Sequence, residues 1–219
     1  VYTGTHDQQY PAVAFNGNDE EYLVVWQSYN TASRLYGIYG QVLAADGDRS
    51  GSLVTIHTTG APLSYPDVTF NVSDTQYLVV WQEYDAGTGT PNWDVRGKVV
   101  AADGSAVVAA CDILTGTTDQ AVPAAAYSVS DTAYLVVGQH YGNGTDLNDV
   151  RARWVAADGD LDAAFGIATG TDDQRAPDVA CAGNGVCLVT WERQVAMGIS
   201  GWDVYARRVD DGGTVGSAL

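Results

Sequence analysis

Aspartate supplies 23 of the 27 carboxylate side chains in this chain of 219 residues, against ten Lys and Arg and three His. Two positions set an indole beside a carboxylate, Trp93-Asp94 and Trp202-Asp203, and Asn148-Asp149 holds the matching place between them. An aromatic face for stacking, with Asp or Asn for hydrogen bonding, is the physics of sugar recognition. Trp93, Asp94, Asp149, Trp202 and Asp203 are therefore the candidate ligand-binding residues. A plainer role fits them too, with the indoles packed over an edge and the carboxylates capping strand ends. Three more aspartates, Asp7, Asp119 and Asp173, each stand before Gln in a repeated Thr-Gly-Thr-x-Asp-Gln context. Oxygen donors of this kind suit a cation such as calcium. An Asx turn onto the following backbone suits them better.

Other chemistries find no support. There is no G-x-S-x-G elbow, no H-E-x-x-H helix and no phosphate loop. His6, His57 and His140 fall on unrelated positions, and four Glu residues offer little for a general acid. The Asp-box turn of sialidases is absent as well. A formal net charge of −17, with Lys98 the only lysine, excludes binding to a phosphate backbone. No apolar run is long enough to span a membrane. Without an initiator Met or a signal-like start, the chain reads as a mature or excised product. Asn71-Val72-Ser73 and Asn143-Gly144-Thr145 match the glycan acceptor pattern.

The elements that must position these residues come from a repeat. Tyr22-Leu23-Val24-Val25-Trp26 returns at Tyr77–Trp81, Tyr134–Gly138 and Cys187–Trp191. Each copy follows a proline-led run beginning at Pro11, Pro66, Pro123 or Pro177 and precedes an Asp-Gly pair, at Asp46, Asp103, Asp158 or Asp211. Aromatic and β-branched content makes the repeated run a strand, and apolar residues on both faces require cover on both sides. Proline fits the first residue of the strand before it. Asp-Gly predicts a tight type I′ hairpin between the third and fourth strands. Four such units give an all-β chain, a four-bladed β-propeller of four-stranded antiparallel blades. The blades span about 9–63, 64–120, 121–174 and 175–219 plus 1–8 of a single domain. In this reading Val1–Gln8 supplies the outer strand that the last blade lacks.

Cys181 and Cys187 replace an aromatic pair that faces across the first hairpin of the other blades: Phe15 with Tyr22, Phe70 with Tyr77, Tyr127 with Tyr134. Opposed antiparallel positions are close enough for a disulfide, which implies an oxidising compartment. Cys111 is left over, as a small buried apolar residue or an intermolecular link.

Across essentially its whole length the chain resembles secreted bacterial and archaeal tandem-repeat β-propeller proteins with Pro-x-Val-Ala … Tyr-Leu-Val-Val-Trp … Asp-Gly repeats. The resemblance implies an exported or surface-displayed binding or structural module and says nothing of catalysis. Gly138 stands where the repeat has Trp, so the third blade must pack differently there. The expected function is thus a non-enzymatic extracellular or cell-surface module whose partner is a glycan or surface polymer. Variable connections between the second and third strands would carry its site, on the face holding Trp93 and Trp202. One alternative is a filament subunit, with Val1–Gln8 donated to another copy of the chain. Another is a carboxylate-based glycoside hydrolase, which a propeller can host. The four units could also be a slice of a longer array.

Overall fold

The computed structural model describes residues 3, 6–87, 90–142, 147–194 and 201–219. The chain is all β, a propeller of four four-stranded antiparallel blades in chain order. The first blade holds β1 (Gln8–Asn16), β2 (Glu21–Asn30), β3 (Leu35–Ala44) and β4 (Arg49–Thr59). The second holds β5 (Leu63–Asn71), β6 (Gln76–Asp85), β7 (Asn92–Ala101) and β8 (Cys111–Leu114). The third holds β9 (Gln120–Ser128), β10 (Ala133–Tyr141), β11 (Asn148–Ala156) and β12 (Phe165–Ala168). The fourth holds β13 (Asp173–Cys181), β14 (Cys187–Gln194), β15 (Trp202–Asp210) and β16 (Thr214–Ala218).

The turns show how local chemistry sets the strands. Between β1 and β2, the buried Asn16 accepts from the amides of Asn18 and Asp19 and donates to Asp19. Asn71 repeats this between β5 and β6, and Ser128 between β9 and β10. Asn71 is fully buried and committed to these bonds, so it is no glycan acceptor; Asn143 lies outside the described residues. The fourth blade has the exposed Ala182 at this place and a Cys181–Cys187 disulfide across the paired positions instead. Cys111 is half-buried on β8, with its thiol pushed up by burial. The Asp-Gly hairpins differ from expectation. Only the glycine enters the left-handed region, at φ 87° for Gly47, 81° for Gly104 and 89° for Gly159. Each glycine amide bonds the carbonyl three residues earlier, which is a type I turn followed by a glycine.

Successive blades stack through their inner strands, β1 on β5, β5 on β9 and β9 on β13. Three apolar seams result. At each, the Leu-Val face of one blade meets the Tyr-Val face of the next, as Leu23, Val25 and Ile38 meet Tyr77, Val79 and Val68. Leu78, Val80 and Val95 likewise meet Tyr134 and Val136, and Leu135, Val137 and Val150 meet Cys187, Val189 and Trp191. A basic residue crosses every seam to a buried carbonyl on the preceding outer strand. Lys98 Nζ donates to Ile56 O at 2.7 Å, Arg153 to Ile113 O at 2.9 Å, and Arg207 to Ile167 O. The first blade has Gln41 at this position, turned onto its own Val42 and Ser50 carbonyls. A Cβ on Gly138 would sit 2.9 Å from Leu114 Cδ1, so leucine fills the place of the missing indole.

Closure of the last blade departs from the expected scheme. Its outer position belongs to β16, which pairs with β15 through Val209↔Val215 and Asp210↔Thr214, so the N-terminal strand is not its fourth member. Gln8 instead opens β1 opposite Ser28. Val1, Tyr2, Gly4 and Thr5 lie outside the described residues. Five residues are enough for a short edge strand, since the outer strands β8 and β12 have only four each. Among the described residues, no fourth seam joins the last blade to the first. Val13 is 59% exposed and Phe15 50%, where their counterparts Val68 and Tyr127 are buried.

Candidate active site

The residues picked out by sequence are dispersed, and most are engaged in holding strands. Asp119 Oδ1 accepts the Trp93 amide at 2.9 Å, and Asp173 Oδ1 accepts the Asn148 amide at 2.9 Å. These two aspartates tie the start of a third strand to the chain entering the next blade. They accept amides of the preceding third strand and not of the following backbone, so this is no Asx turn, and Asp7 is exposed apart from them. Among the described residues no group of three His, Cys, Asp or Glu side chains could hold a metal. Asp94 is buried, accepts from Asn92 Nδ2 at 3.0 Å, and has its carboxyl raised by that burial. Asp149 accepts from Gly170 N at 3.2 Å, and Asp203 is exposed. Trp93 packs edge-on against Tyr84 with centroids 5.5 Å apart. Trp202 is covered by Arg175, whose guanidinium carbon lies 3.4 Å from the ring centroid. Parts of the connections carrying this face, 88–89, 143–146 and 195–200, lie outside the described residues.

A better constellation forms where the inner strands meet. In every blade the residue before the repeat proline is left-handed: Tyr10 at φ 51°, Tyr65 at 54°, Val122 at 49° and Ala176 at 48°. Each sits at a register shift in the inner ladder. A non-glycine residue held there is strained, and such strain persists only where surrounding structure enforces it. Gln82 Oε1 helps by accepting the Val122 amide from the neighbouring blade at 2.9 Å, and Gln139 does the same for Ala176 at 3.3 Å.

These bulges frame a cavity of about 300 Å³ lined by Tyr10, Pro11, Tyr65, Pro66, Asp67 and Pro123 among others. Tyr10 and Tyr65 form an exposed aromatic pair with centroids 4.5 Å apart. The Tyr65 phenol is held up by its hydrogen bond to Tyr10. Asp67 follows Pro66, and Asp178 holds the same place after Pro177 in the fourth blade; the other two blades have Ala12 and Ala124 there. Burial pushes the Asp67 carboxyl above its ordinary range, and the negative charge of Asp178 adds to the shift. Amide bonds from Ala125, at 2.9 Å, and from Val68 pull the other way without cancelling it. Asp178 is exposed and accepts from the Val179 amide at 2.8 Å. The cavity thus sets a carboxyl raised by burial beside two tyrosine faces, with the exposed Asp178 carboxylate outside its lining.

Solved structures share this architecture. An exo-beta-1,3-galactanase from Phanerochaete chrysosporium aligns with a TM-score of 0.54 and 13% identity over 94% of this chain and 47% of its own. A xylan beta-1,4-xylosidase from Bacillus halodurans aligns at 0.58 and 13% over 96% of this chain and 43% of its own. An endo-1,4-beta-xylanase from Bacteroides thetaiotaomicron aligns at 0.58 and 10% over 98% and 77%. The fold is shared with glycoside hydrolases. At identities this low the likeness is one of fold, and the chain spans about half the length of the galactanase and xylosidase. No family model matches the sequence, and no curated protein does. The expectation of a non-enzymatic structural or binding module is corrected by these neighbours, which perform sugar hydrolysis on the same scaffold.

Asp67 and Asp178 were not legible in the sequence as site residues because they are two among 23 aspartates, in runs that read as strand. A signal existed all the same. Within an otherwise regular repeat, two blades place a charge at an inner-strand position where the others have alanine.

Proposed function

We propose that this protein is a glycoside hydrolase, with Asp67 and Asp178 as its catalytic carboxyl groups and the Tyr10–Tyr65 pair as a stacking surface for the sugar. The observation that carries the reading is the raised Asp67 carboxyl beside the Tyr10–Tyr65 faces, with the exposed Asp178 at the equivalent position of the fourth blade. Hydrolysis of a glycosidic bond needs one carboxylic acid to protonate the departing oxygen. It needs a second carboxylate to activate water or attack the anomeric carbon. Burial suits Asp67 to the first role, since it keeps the proton to higher pH. Asp178, exposed at the matching position, takes the second. A tyrosine face stacks on the apolar side of a sugar ring and positions the bond. The Cys181–Cys187 disulfide supports export to an oxidising space, where the partner is an extracellular polysaccharide.

The test is turnover of nitrophenyl glycosides and release of reducing ends from galactan, xylan and arabinan. At least one substrate should be cleaved. Asp67→Asn and Asp178→Asn should each lower kcat by about 10²–10⁴-fold, with folding intact by circular dichroism. Absence of cleavage across the panel, or full activity in both Asn variants, overturns the assignment.

A further inference from the structure

One place recurs at all three seams in three versions. At the first, Trp81 Nε1 donates to Glu83 Oε2 at 3.1 Å, and His57 Nε2 lies 3.0 Å from the same oxygen. The imidazole also stacks on the indole, with centroids 5.0 Å apart, and Arg96 stands 3.9 Å from the carboxylate. Burial pushes the Glu83 carboxyl up, but these donors and charges outweigh it and keep the group below its usual range. At the second seam Gly138 replaces the indole, Leu114 fills its volume, and His140 in the glutamate position meets Gln120 at 2.5 Å. At the third seam Trp191 returns. Ala168 now stands where His57 and Leu114 stood, and Arg193 where Glu83 stood. The indole donor is kept while its carboxylate acceptor is gone.

The outcome is a cavity of about 270 Å³ between the third and fourth blades, lined by Ala168, Asp172, Gln174, Trp191, Arg193 and Arg207 among others. Gln174 is 4% exposed and Trp191 3%. Among the described residues, Gln174 Oε1, Trp191 Nε1 and Arg207 Nε have no hydrogen-bond partner. A buried polar atom left in that state is costly, so a ligand that satisfies all three binds with that cost relieved. Two guanidinium groups face one carboxylate here, Arg193 pairing with Asp172 at 2.5 Å. The cavity is therefore locally cationic within a strongly acidic chain.

We propose that this cavity binds a small hydroxy-carboxylate, of which a uronate sugar is representative. Its carboxylate takes the place that Glu83 fills at the first seam, accepting from Trp191 and Arg207, and a ligand hydroxyl donates to Gln174 Oε1. The proposal does not rest on the hydrolase reading, because none of these residues lines the axial cavity.

Calorimetric titration of the full chain with sodium D-glucuronate tests it, with glucose as neutral control. Saturable glucuronate binding without glucose binding is the expected result. Ala168→Leu adds bulk where His57 lies beside an indole at the first seam and should fill the cavity, weakening binding at least about tenfold. Arg193→Glu should do the same by restoring an internal acceptor for the indole. Should that variant misfold beside Asp172, Ala168→Leu still decides. Absence of saturable binding, equal binding of glucose, or undiminished binding by Ala168→Leu overturns the proposal.

Discussion

Asp67 and Ala12 occupy equivalent places in neighbouring blades, and only one of them makes stability depend on pH. The Asp67 carboxyl is raised by burial, so the folded protein keeps that proton to higher pH than the unfolded chain does. Its contribution is fully present below the unfolded carboxylate pKa, about 4, and is lost as pH rises through the folded value. Asp67→Asn, which never ionises and keeps an oxygen for the Ala125 amide, removes that loss. The variant should melt higher than wild type at neutral pH, with the gap closing towards pH 3. Thermal melts across pH check this, and a constant offset would place the effect in packing rather than charge. Such a gain, set against lost activity, is what a catalytic group buried at a cost to stability produces.

At the scale of elements, the seam crossings dominate. Lys98→Met keeps the aliphatic stem and removes the donor to Ile56 O, leaving a buried carbonyl without its charged partner. A loss of about 1–3 kcal/mol is expected by denaturant unfolding. Arg153→Met should cost a similar amount at the second seam, and the two should add because no partner is shared. The strands themselves were legible in the sequence: the Tyr-Leu-Val-Val-Trp runs and the cysteine pair stand where expected, whereas each repeat proline lies inside its inner strand, after a bulge, and not at the first residue. Less visible was the Asp-Gly turn type, since a glycine φ does not reveal whether its neighbour shares it. The closing strand was missed because strand pairing depends on register rather than on residue counts. The bonding of the Trp and Asp face was hidden for a different reason. Composition shows that Asp119 carries two oxygens, but not that one already accepts the Trp93 amide.

For the molecule as a whole, position in the row of blades decides what a substitution costs. Val13 and Val68 are repeat equivalents, yet one is 59% exposed and the other 6%. Val13→Ala should stay within about 0.5 kcal/mol of wild type, whereas Val68→Ala should lose about 2 kcal/mol through its seam; equal losses would show that a fourth seam forms in solution. Among the described residues three seams join the four blades, so each end blade has one neighbour and each inner blade two. A closed ring would have no such ends. Under tension applied between the termini the protein should therefore unzip instead of bursting: blades leave one at a time, starting at an end. Each release of some 55 residues would lengthen the tether by roughly 190 Å, and a force trace would show a sawtooth in place of a single rupture.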